Sequence, residues 1–366
     1  MQNHKLSVNQ MVSTIILFSF GSSIILGVST KVNQDSWISL IVAAVLTIPI
    51  YLVYSRIIKL FPDMDFFSML EMLFGKVIGK TITVILVWYA VHLGSLVLRN
   101  FSEFVEISGM PETPQLPLAI LMIAVLIYLV KSGIETIGKW SLCCLPIILF
   151  IVVLTVVLSS KNADLGNLMP IMEHTPKEII SESYKVFTFP FAECVMFLFL
   201  SSSFRKKDNP VKIYMWALLI SSVTLAVIII RNYSVLGPAL VKESYFPSYM
   251  AARIINIGDF LSRIEGTISL NFLLAGITKM AICIMVASNG ISSLFNIENE
   301  KVMIVPMSLL TLSLSMVLYK STMEMYNFIE VYRIYAIPFE IIIPLIIWIT
   351  AEVRLRNKKP AQTQAS

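Results

Sequence analysis

The chain has few charged residues, few histidines and few cysteines. Only 14% of its 366 residues are Asp, Glu, Lys or Arg, whereas a soluble domain carries about 25%. Three histidines and four cysteines leave little material for an acid–base or metal site, and the sequence contains no hydrolase, phosphate-loop or zinc-peptidase motif. We therefore predict that the protein is not an enzyme and that it uses no metal or other cofactor.

The net charge is only moderately positive, at +5. The Lys and Arg residues stand in short segments between apolar runs. No basic stretch is interleaved with aromatic residues, as a nucleic-acid-binding surface would require. We therefore expect no nucleic-acid partner, and interpret the basic residues as signals of membrane topology.

Long hydrophobic runs dominate the chain. Hydrophobic residues make up 57% of it, and the mean hydropathy is +0.80. A helix needs about 20 apolar residues to cross a lipid bilayer. The runs predict ten spans, at 9–28, 37–58, 79–100, 116–131, 140–158, 183–203, 212–232, 264–288, 302–319 and 331–351. No soluble domain fits between them, so we predict one all-α membrane domain over 1–366, ending in a polar tail at 352–366.

The side on which the termini lie follows from the distribution of basic residues. An even number of spans places both termini on one side, and more Lys and Arg residues fall on that side than on the other. The positive-inside rule then makes both termini cytoplasmic. The first apolar run is as long as a full span, so we interpret it as a retained helix rather than a cleaved signal peptide.

Small residues interrupt the first predicted span. Gly21, Ser22, Ser23 and Gly27 fall within it, and each Gly costs about 1 kcal/mol relative to Ala in a helix. Such residues indicate either a broken helix or close packing between helices, which small residues also permit in membranes. Gly21, Ser22 and Ser23 are our candidate ligand-binding residues in this span.

A proline and an acidic residue interrupt the sixth predicted span. Pro190 lacks a backbone N–H and is expected to kink the helix. Glu193 follows inside the apolar run, and an ionisable residue there usually faces a cavity or a partner. The alternative is a simple proline kink with a protonated Glu193 bonded to a neighbour. The candidate ligand-binding residues of this span are Phe187, Thr188, Phe189 and Glu193.

The two interruptions lie five spans apart. A unit of five helices crosses the membrane an odd number of times, so a second copy must be inverted. Two inverted units, over 1–160 and 161–355, each with a broken first helix, describe a transporter-like fold. In such a fold, freed N–H groups bind a carboxylate and freed carbonyls bind a cation or an ammonium group. A zwitterionic amino acid offers both groups.

Other ionisable residues lie in or near the predicted spans. Lys279 is in the middle of the eighth span, where it could replace a coupling cation, pair with Glu193 or snorkel to the interface. Glu265 stands at the start of that span, about 21 Å away along the helix axis. We consider Pro190, Glu265 and Lys279 as candidates for coupling or gating.

Several short stretches resemble a known family. They are Ser7–Gln10, Asp35–Ile38, Phe74–Gly79, Asn167–Pro170 and, most specifically, Ile257–Glu265 before the eighth span. In order and spacing, this chain resembles the spore-germination permease family, the B subunits of GerA-type nutrient germinant receptors of endospore-forming bacteria. One departure lies after the first span, where the stretch Leu26–Lys31 lacks the proline of the family's usual Leu-Pro-Arg ending, and Lys31 could substitute for the arginine.

The resemblance implies a fold, a function and partners. It places the chain in the amino acid–polyamine–organocation transporter superfamily and in the spore inner membrane. It implies a receptor subunit that senses a small nutrient, often an amino acid, together with an A subunit and a C-subunit lipoprotein. The alternative is a permease that carries an amino acid with H⁺ or Na⁺, because receptor and transporter share the fold.

Overall fold

The computed structural model describes residues 5–27, 29–255 and 264–358. Val28, the stretch 256–263, which holds most of the motif before the eighth span, and the end of the polar tail, 359–366, lie outside the described residues. Within the described ranges, all regular secondary structure is helical. The α-helices are α1 (Val8–Phe20), α2 (Ser23–Leu26), α3 (Ser36–Leu60), α4 (Phe66–Phe74), α5 (Lys76–Ser108), α6 (Gln115–Lys131), α7 (Ile134–Ser159), α8 (Pro176–Val186), α9 (Met196–Phe199), α10 (Pro210–Glu243), α11 (Pro247–Arg253), α12 (Glu265–Phe295), α13 (Ile304–Val317), α14 (Thr322–Tyr335) and α15 (Ile343–Lys358).

The all-α membrane fold is confirmed. Seven helical segments of the described chain are long and apolar enough to cross a membrane, and α1 and α6 are shorter apolar helices. The predicted sixth span is divided among α8, α9 and the short turns between them. The count of ten spans and the inverted repeat therefore stay predictions.

Two helices extend well beyond their predicted spans. Helix α5 runs to Ser108 rather than ending near residue 100, and α10 runs to Glu243 rather than to residue 232. Arg231 and Asn232, at the predicted end of the span, are buried in the bundle. The helix continues beyond them and is kinked at Gly237, whose φ of 73° is non-helical, before it ends at Glu243.

Helix α12 lies at the centre of the bundle. Of its most apolar 18 residues 89% are buried, against 33% for the corresponding part of α7. Small residues permit close approach between α12 and α5. A Cβ added at Gly290 would lie 2.4 Å from Val87, and one added at Gly94 would lie 3.2 Å from Cys283. Close packing through small residues is the usual means of helix association in membranes.

The final span begins earlier than predicted and contains an interruption that the sequence analysis missed. Helix α14 starts at Thr322, where the Ser321 side chain accepts a hydrogen bond from the Glu324 N–H. A π-helical turn over Pro338–Ile342 then separates α14 from α15. Pro338 supplies the reason, because its nitrogen cannot continue the backbone hydrogen-bond ladder. This turn places Glu340 inside the bundle.

Candidate ligand-binding site

The first predicted helix break is present. Helix α1 ends at Phe20 and α2 begins at Ser23. Between them, Gly21 has φ 18° and ψ −115°, outside the helical region. Of the two interpretations of the small residues, a broken helix is therefore the one that the structure shows.

The second predicted break is also present. A π-helical turn covers Phe187–Phe191, and within it Phe189 has an extended backbone, with φ −128° and ψ 112°. A 3₁₀ turn over Ala192–Val195 follows and leads into α9. Glu193 lies in this second turn, directly after the break.

A buried ion pair joins the second break to the central helix. The Lys279 ammonium, on α12, donates a hydrogen bond to Glu193 Oε2, and both side chains have 0% exposure. Glu193 Oε1 accepts a second hydrogen bond from the Tyr332 hydroxyl at 2.7 Å. Of the alternatives for Lys279, pairing with Glu193 is confirmed and snorkelling is wrong, because the ammonium is directed into the bundle.

Two aromatic rings flank the Lys279 ammonium. Its nitrogen lies 5.2 Å from the ring centroid of Phe18 on α1 and 5.1 Å from that of Phe189. A cation within about 6 Å of a ring centroid is attracted by the ring's negative face. The ammonium is thus held by a carboxylate and two rings from both broken spans.

Gly21 makes room for the Lys279 side chain. A Cβ added at Gly21 would lie 2.3 Å from Lys279 Cδ, well inside van der Waals contact. The glycine therefore serves two purposes, since it ends α1 and admits the lysine chain. Both helix breaks meet at this one side chain.

A small cavity borders the ion pair. Its polar lining consists of Ser22, Asn100, Glu193, Lys279 and the hydroxyl-bearing side chains of Tyr319 and Tyr332. The Asn100 side-chain amide donates to Ser22 Oγ at 3.2 Å, so α5 supports the broken first span here. The remaining walls are apolar. The cavity thus combines opposite charges with an apolar surface.

Six predicted site residues, Gly21, Ser23, Phe187, Thr188, Pro190 and Glu265, do not line this cavity. The Ser23 hydroxyl donates to the carbonyls of Ser19 and Phe20, and the Thr188 hydroxyl bonds to carbonyls of its own helix. Phe187 stacks on Tyr184, with ring centroids 5.9 Å apart. Glu265 is the first residue of α12, remote from Lys279. Phe189 and Glu193 contact the ammonium, Gly21 lies beside the methylene groups of Lys279, Ser22 lines the cavity, and Pro190 lies within the second break.

Tyrosine side chains occupy carbonyls that the second break was expected to offer to a ligand cation. The hydroxyl groups of Tyr51 and Tyr214 donate to the carbonyls of Phe191 and Cys194 at 2.9 and 3.4 Å, and the Tyr54 hydroxyl oxygen lies 3.3 Å from the Ala192 carbonyl. Cation binding by these carbonyls stays a prediction, because each carbonyl oxygen has two lone pairs. Sequence reasoning missed these tyrosines. Two of them lie three residues apart on α3, so they share a helix face, and that spacing was the available signal.

A second charged cluster stands beside the cavity. Glu330, on α14, contacts Lys31 at 2.9 Å and Lys185, on α8, at 2.7 Å. Lys185 also contacts Glu182 at 2.9 Å. The cluster borders a second cavity that shares Leu26, Phe189 and Ile329 with the first. It therefore connects the segment after α2 with α8 and α14.

Replacing Phe189 with Ala should weaken the hold on the ammonium, because one of its two rings is lost. Cation–π contacts contribute about 0.5–2 kcal/mol to stability. In detergent, we therefore expect the thermal unfolding midpoint of the variant to lie below that of the wild-type protein. Phe187→Ala is the matched control, since this buried ring stacks on Tyr184 rather than on Lys279. If the unfolding midpoint falls equally in both variants, the ring contact with Lys279 has no specific role.

The fold and the site define a class of protein. The chain is a multi-pass helical membrane protein of transporter-like fold, with a buried ion pair where two broken helices meet. Its structure is similar to the solved structure of MhsT in complex with L-phenylalanine, with a TM-score of 0.69 and 11% identity, covering 95% of this chain and 89% of MhsT. At this identity, the likeness shows the fold.

The family follows from the sequence comparisons. A family model described as spore germination protein, the spore permease family, matches residues 5–325, so the chain belongs to that family. It is 24% identical to spore germination protein KB of Bacillus subtilis (strain 168), over 99% of this chain and 98% of that protein. It is 23% identical to spore germination protein A2 of the same organism, over 82% of this chain and 84% of the relative. The resemblance noted in the sequence is thereby confirmed.

Proposed function

We propose that this protein is the membrane subunit of a spore nutrient germinant receptor, and that it binds a small nutrient, an amino acid, in the cavity beside Lys279. The observation that carries the proposal is the buried Lys279–Glu193 pair, which borders the cavity at both helix breaks. Buried charges in a membrane span are costly and usually serve a function. A pair that serves only packing could be replaced by apolar side chains of similar volume without loss of stability.

An amino acid matches the charges of this site. Its carboxylate can accept from the Lys279 ammonium, and its own ammonium can donate to Glu193. Among the described residues, Glu193 Oε2 is the one hydrogen-bond acceptor of that lysine, which leaves two N–H donors for a ligand. Exchange of one internal ion pair for two intermolecular ones leaves no charge uncompensated. The ligand changes the conformation only if it binds the signalling state better than the resting one.

The apolar walls of the cavity favour an apolar side chain on that amino acid. Leu93 and Leu96 from α5 face Met325 and Phe328 from α14 across the space. The neighbour MhsT is described in complex with L-phenylalanine, which supports an amino acid with an apolar side chain. A charged side chain would leave an unpaired charge against these walls, at a cost of several kcal/mol.

Partners and location complete the receptor proposal. We propose assembly with an A subunit and a C-subunit lipoprotein in the inner membrane of the spore, with both termini cytoplasmic. Support comes from membership of the spore permease family and from relatives named as spore germination proteins. Co-purification of the three subunits from spore membranes tests the assembly.

A second candidate function is an amino acid permease coupled to H⁺ or Na⁺. The transporter-like fold favours it, and a resident lysine in the place of a coupling cation would suit proton coupling. Uptake of a radiolabelled amino acid by proteoliposomes separates the two candidates. A receptor binds the ligand without accumulating it, whereas a permease accumulates it when a proton or sodium gradient is applied.

Deletion of the gene should remove the germination response to one nutrient. Spores without the protein are tested over single amino acids, sugars and salts, and the intact gene is then returned. Loss of response to an amino acid, restored by complementation, supports the receptor and names the ligand. A response that is lost for a sugar alone would contradict the amino acid. An unchanged profile in spores that lack the other receptors of this family would contradict the receptor role itself.

A further inference from the structure

A second carboxylate lies buried near the ion pair. Glu340, in the π-helical turn before α15, has 0% exposure. Its Oε1 lies 2.8 Å from the Tyr89 hydroxyl oxygen, within hydrogen-bond distance, and its Oε2 has no hydrogen-bond partner among the described residues. Those residues also include no salt bridge to Glu340. An ionised carboxylate in such a place would cost several kcal/mol, so the neutral acid is favoured.

A chain of hydrogen bonds connects this carboxylate to the ion pair. The hydroxyl oxygens of Tyr89 and Tyr332 lie 3.0 Å apart, and either can be the donor. Tyr332 in turn contacts Glu193 Oε1 at 2.7 Å. The hydrogen-bonded groups therefore run in the order Glu340 of the π-helical turn, Tyr89 of α5, Tyr332 of α14, Glu193 of the turn after the second break, and Lys279 of α12.

Counting the hydrogens along this series of hydrogen bonds shows that one proton is needed in addition to the two phenol hydrogens. Three oxygen–oxygen contacts link the two carboxylates, and each contact needs one hydrogen between its atoms. The two phenol groups supply two hydrogens. With both carboxylates ionised, each tyrosine would donate outwards, and two oxygens 3.0 Å apart would face each other with no hydrogen between them. A proton on one carboxylic acid supplies the third hydrogen.

We propose that Glu340 and Glu193 form one shared proton-binding site, with the proton resident on Glu340 and transferable to Glu193 through Tyr89 and Tyr332. In the transfer, Glu340 gives its proton to the Tyr89 oxygen, Tyr89 gives its own to Tyr332, and Tyr332 gives its own to Glu193. Both tyrosines end neutral, Glu340 ends as a carboxylate and Glu193 as an acid. The total number of protons and the net charge are unchanged.

The resting position of the proton follows from the position of the cation. Lys279 contacts Glu193, so the charged form of that carboxylate is compensated, whereas the Glu340 carboxyl is contacted by a hydroxyl and by no cation among the described residues. The titratable and charged groups that face Glu340 are Tyr89 from α5, Tyr332 from α14, Tyr184 from α8, Glu193, the more distant Lys279 from α12, and Tyr54 from α3, whose hydroxyl donates to the Glu340 backbone carbonyl at 2.5 Å. Transfer of the proton to Glu193 would replace the ion pair by a neutral acid beside Lys279, and so loosen the hold on the ammonium.

Infrared spectroscopy of the purified full chain in lipid nanodiscs tests the site without any nutrient. At neutral pH, we expect a carbonyl stretch from a protonated carboxylic acid that shifts on exchange into D₂O and is lost in Glu340→Gln. Tyr89→Phe should retain the band at a changed frequency, because the acid loses its acceptor. Tyr214→Phe, whose hydroxyl contacts the Cys194 carbonyl instead, is the matched control and should leave the band unchanged. A spectrum in which Glu340→Gln removes no such band would overturn the proposal.

A second variant tests the sharing of the proton. Lys279→Met removes the cation, so both carboxylates should bind a proton, and the acid band should contain contributions from two residues instead of one. Adding Glu193→Gln to Lys279→Met should remove the second contribution. If Lys279→Met fails to fold, the comparison of Glu340→Gln with Tyr89→Phe still decides the result. If Lys279→Met folds and the band is unchanged, Glu193 does not share the site. Because no nutrient is used, these results do not depend on the proposed receptor function.

Discussion

Glu193→Gln is expected to destabilise the folded protein by about 3–5 kcal/mol, because removal of one partner leaves the other as an uncompensated buried charge. The charge left behind is the Lys279 ammonium, which is fully buried. The amide can still accept from the ammonium, but it carries no negative charge. We expect a much lower thermal unfolding midpoint in detergent and no nutrient response at any concentration in spores.

A double variant separates stability from function. Glu193→Gln with Lys279→Met removes both charges and leaves no uncompensated ion, so stability should return towards that of wild type while the nutrient response stays absent. Arg56→Gln is the control, because Arg56 pairs with Glu352 at 2.6 Å on the protein surface. Exposed pairs contribute about 0–1 kcal/mol. Normal nutrient sensitivity in the double variant would rule out the ion pair as the ligand site.

Gly21→Leu should abolish the nutrient response through a steric effect on Lys279. Even the Cβ would lie 2.3 Å from Lys279 Cδ, and the rest of the leucine side chain would require still more room. The lysine chain must then move away from Glu193, so the expected loss of stability approaches that of Glu193→Gln. Overpacking by itself costs about 1–3 kcal/mol.

The matched control for this substitution lies on the same central helix. Gly266 is at the start of α12, and a Cβ added there meets no atom of the described residues within 4 Å. Gly266→Leu should therefore retain the nutrient response and the unfolding midpoint of wild type. Gly21→Ala should give an intermediate loss, because only one carbon is added. Equal behaviour of the leucine variants at positions 21 and 266 would show that space beside Lys279 is not required.

Much of this arrangement could be predicted from the sequence, because breaks and charges in apolar runs have strong local signals. Gly21 and Pro190 stand out in otherwise continuous hydrophobic stretches, and both mark real interruptions. Glu193 and Lys279 stand out in the same way, since ionisable residues are rare in spans. Their pairing was one of several open alternatives, because sequence alone does not tell which helices are neighbours.

Other parts of the site could not be predicted, since they depend on which way a side chain points. Ser23 and Thr188 lie at the breaks, yet their hydroxyl groups bond to nearby backbone carbonyls. Tyr89 and Tyr332 have no local feature that distinguishes them from other tyrosines, and their role arises from contacts across 243 residues of sequence. The break at Pro338 had a local signal, the proline itself. The last span was predicted to begin only at residue 331, so Pro338 lay near the predicted start of the span rather than in its middle.

The tyrosine hydroxyl groups at the second break have a mechanical consequence. Tyr51 on α3 and Tyr214 on α10 hold the Phe191 and Cys194 carbonyls of the broken segment. Each such hydrogen bond contributes a net of about 0.5–1.5 kcal/mol, so α9 cannot rotate freely without α3 and α10. A segment that looks like a hinge in the sequence is thus part of a stiff block. Relative movement is then directed to the boundary between that block and α12, which the Lys279–Glu193 contact crosses.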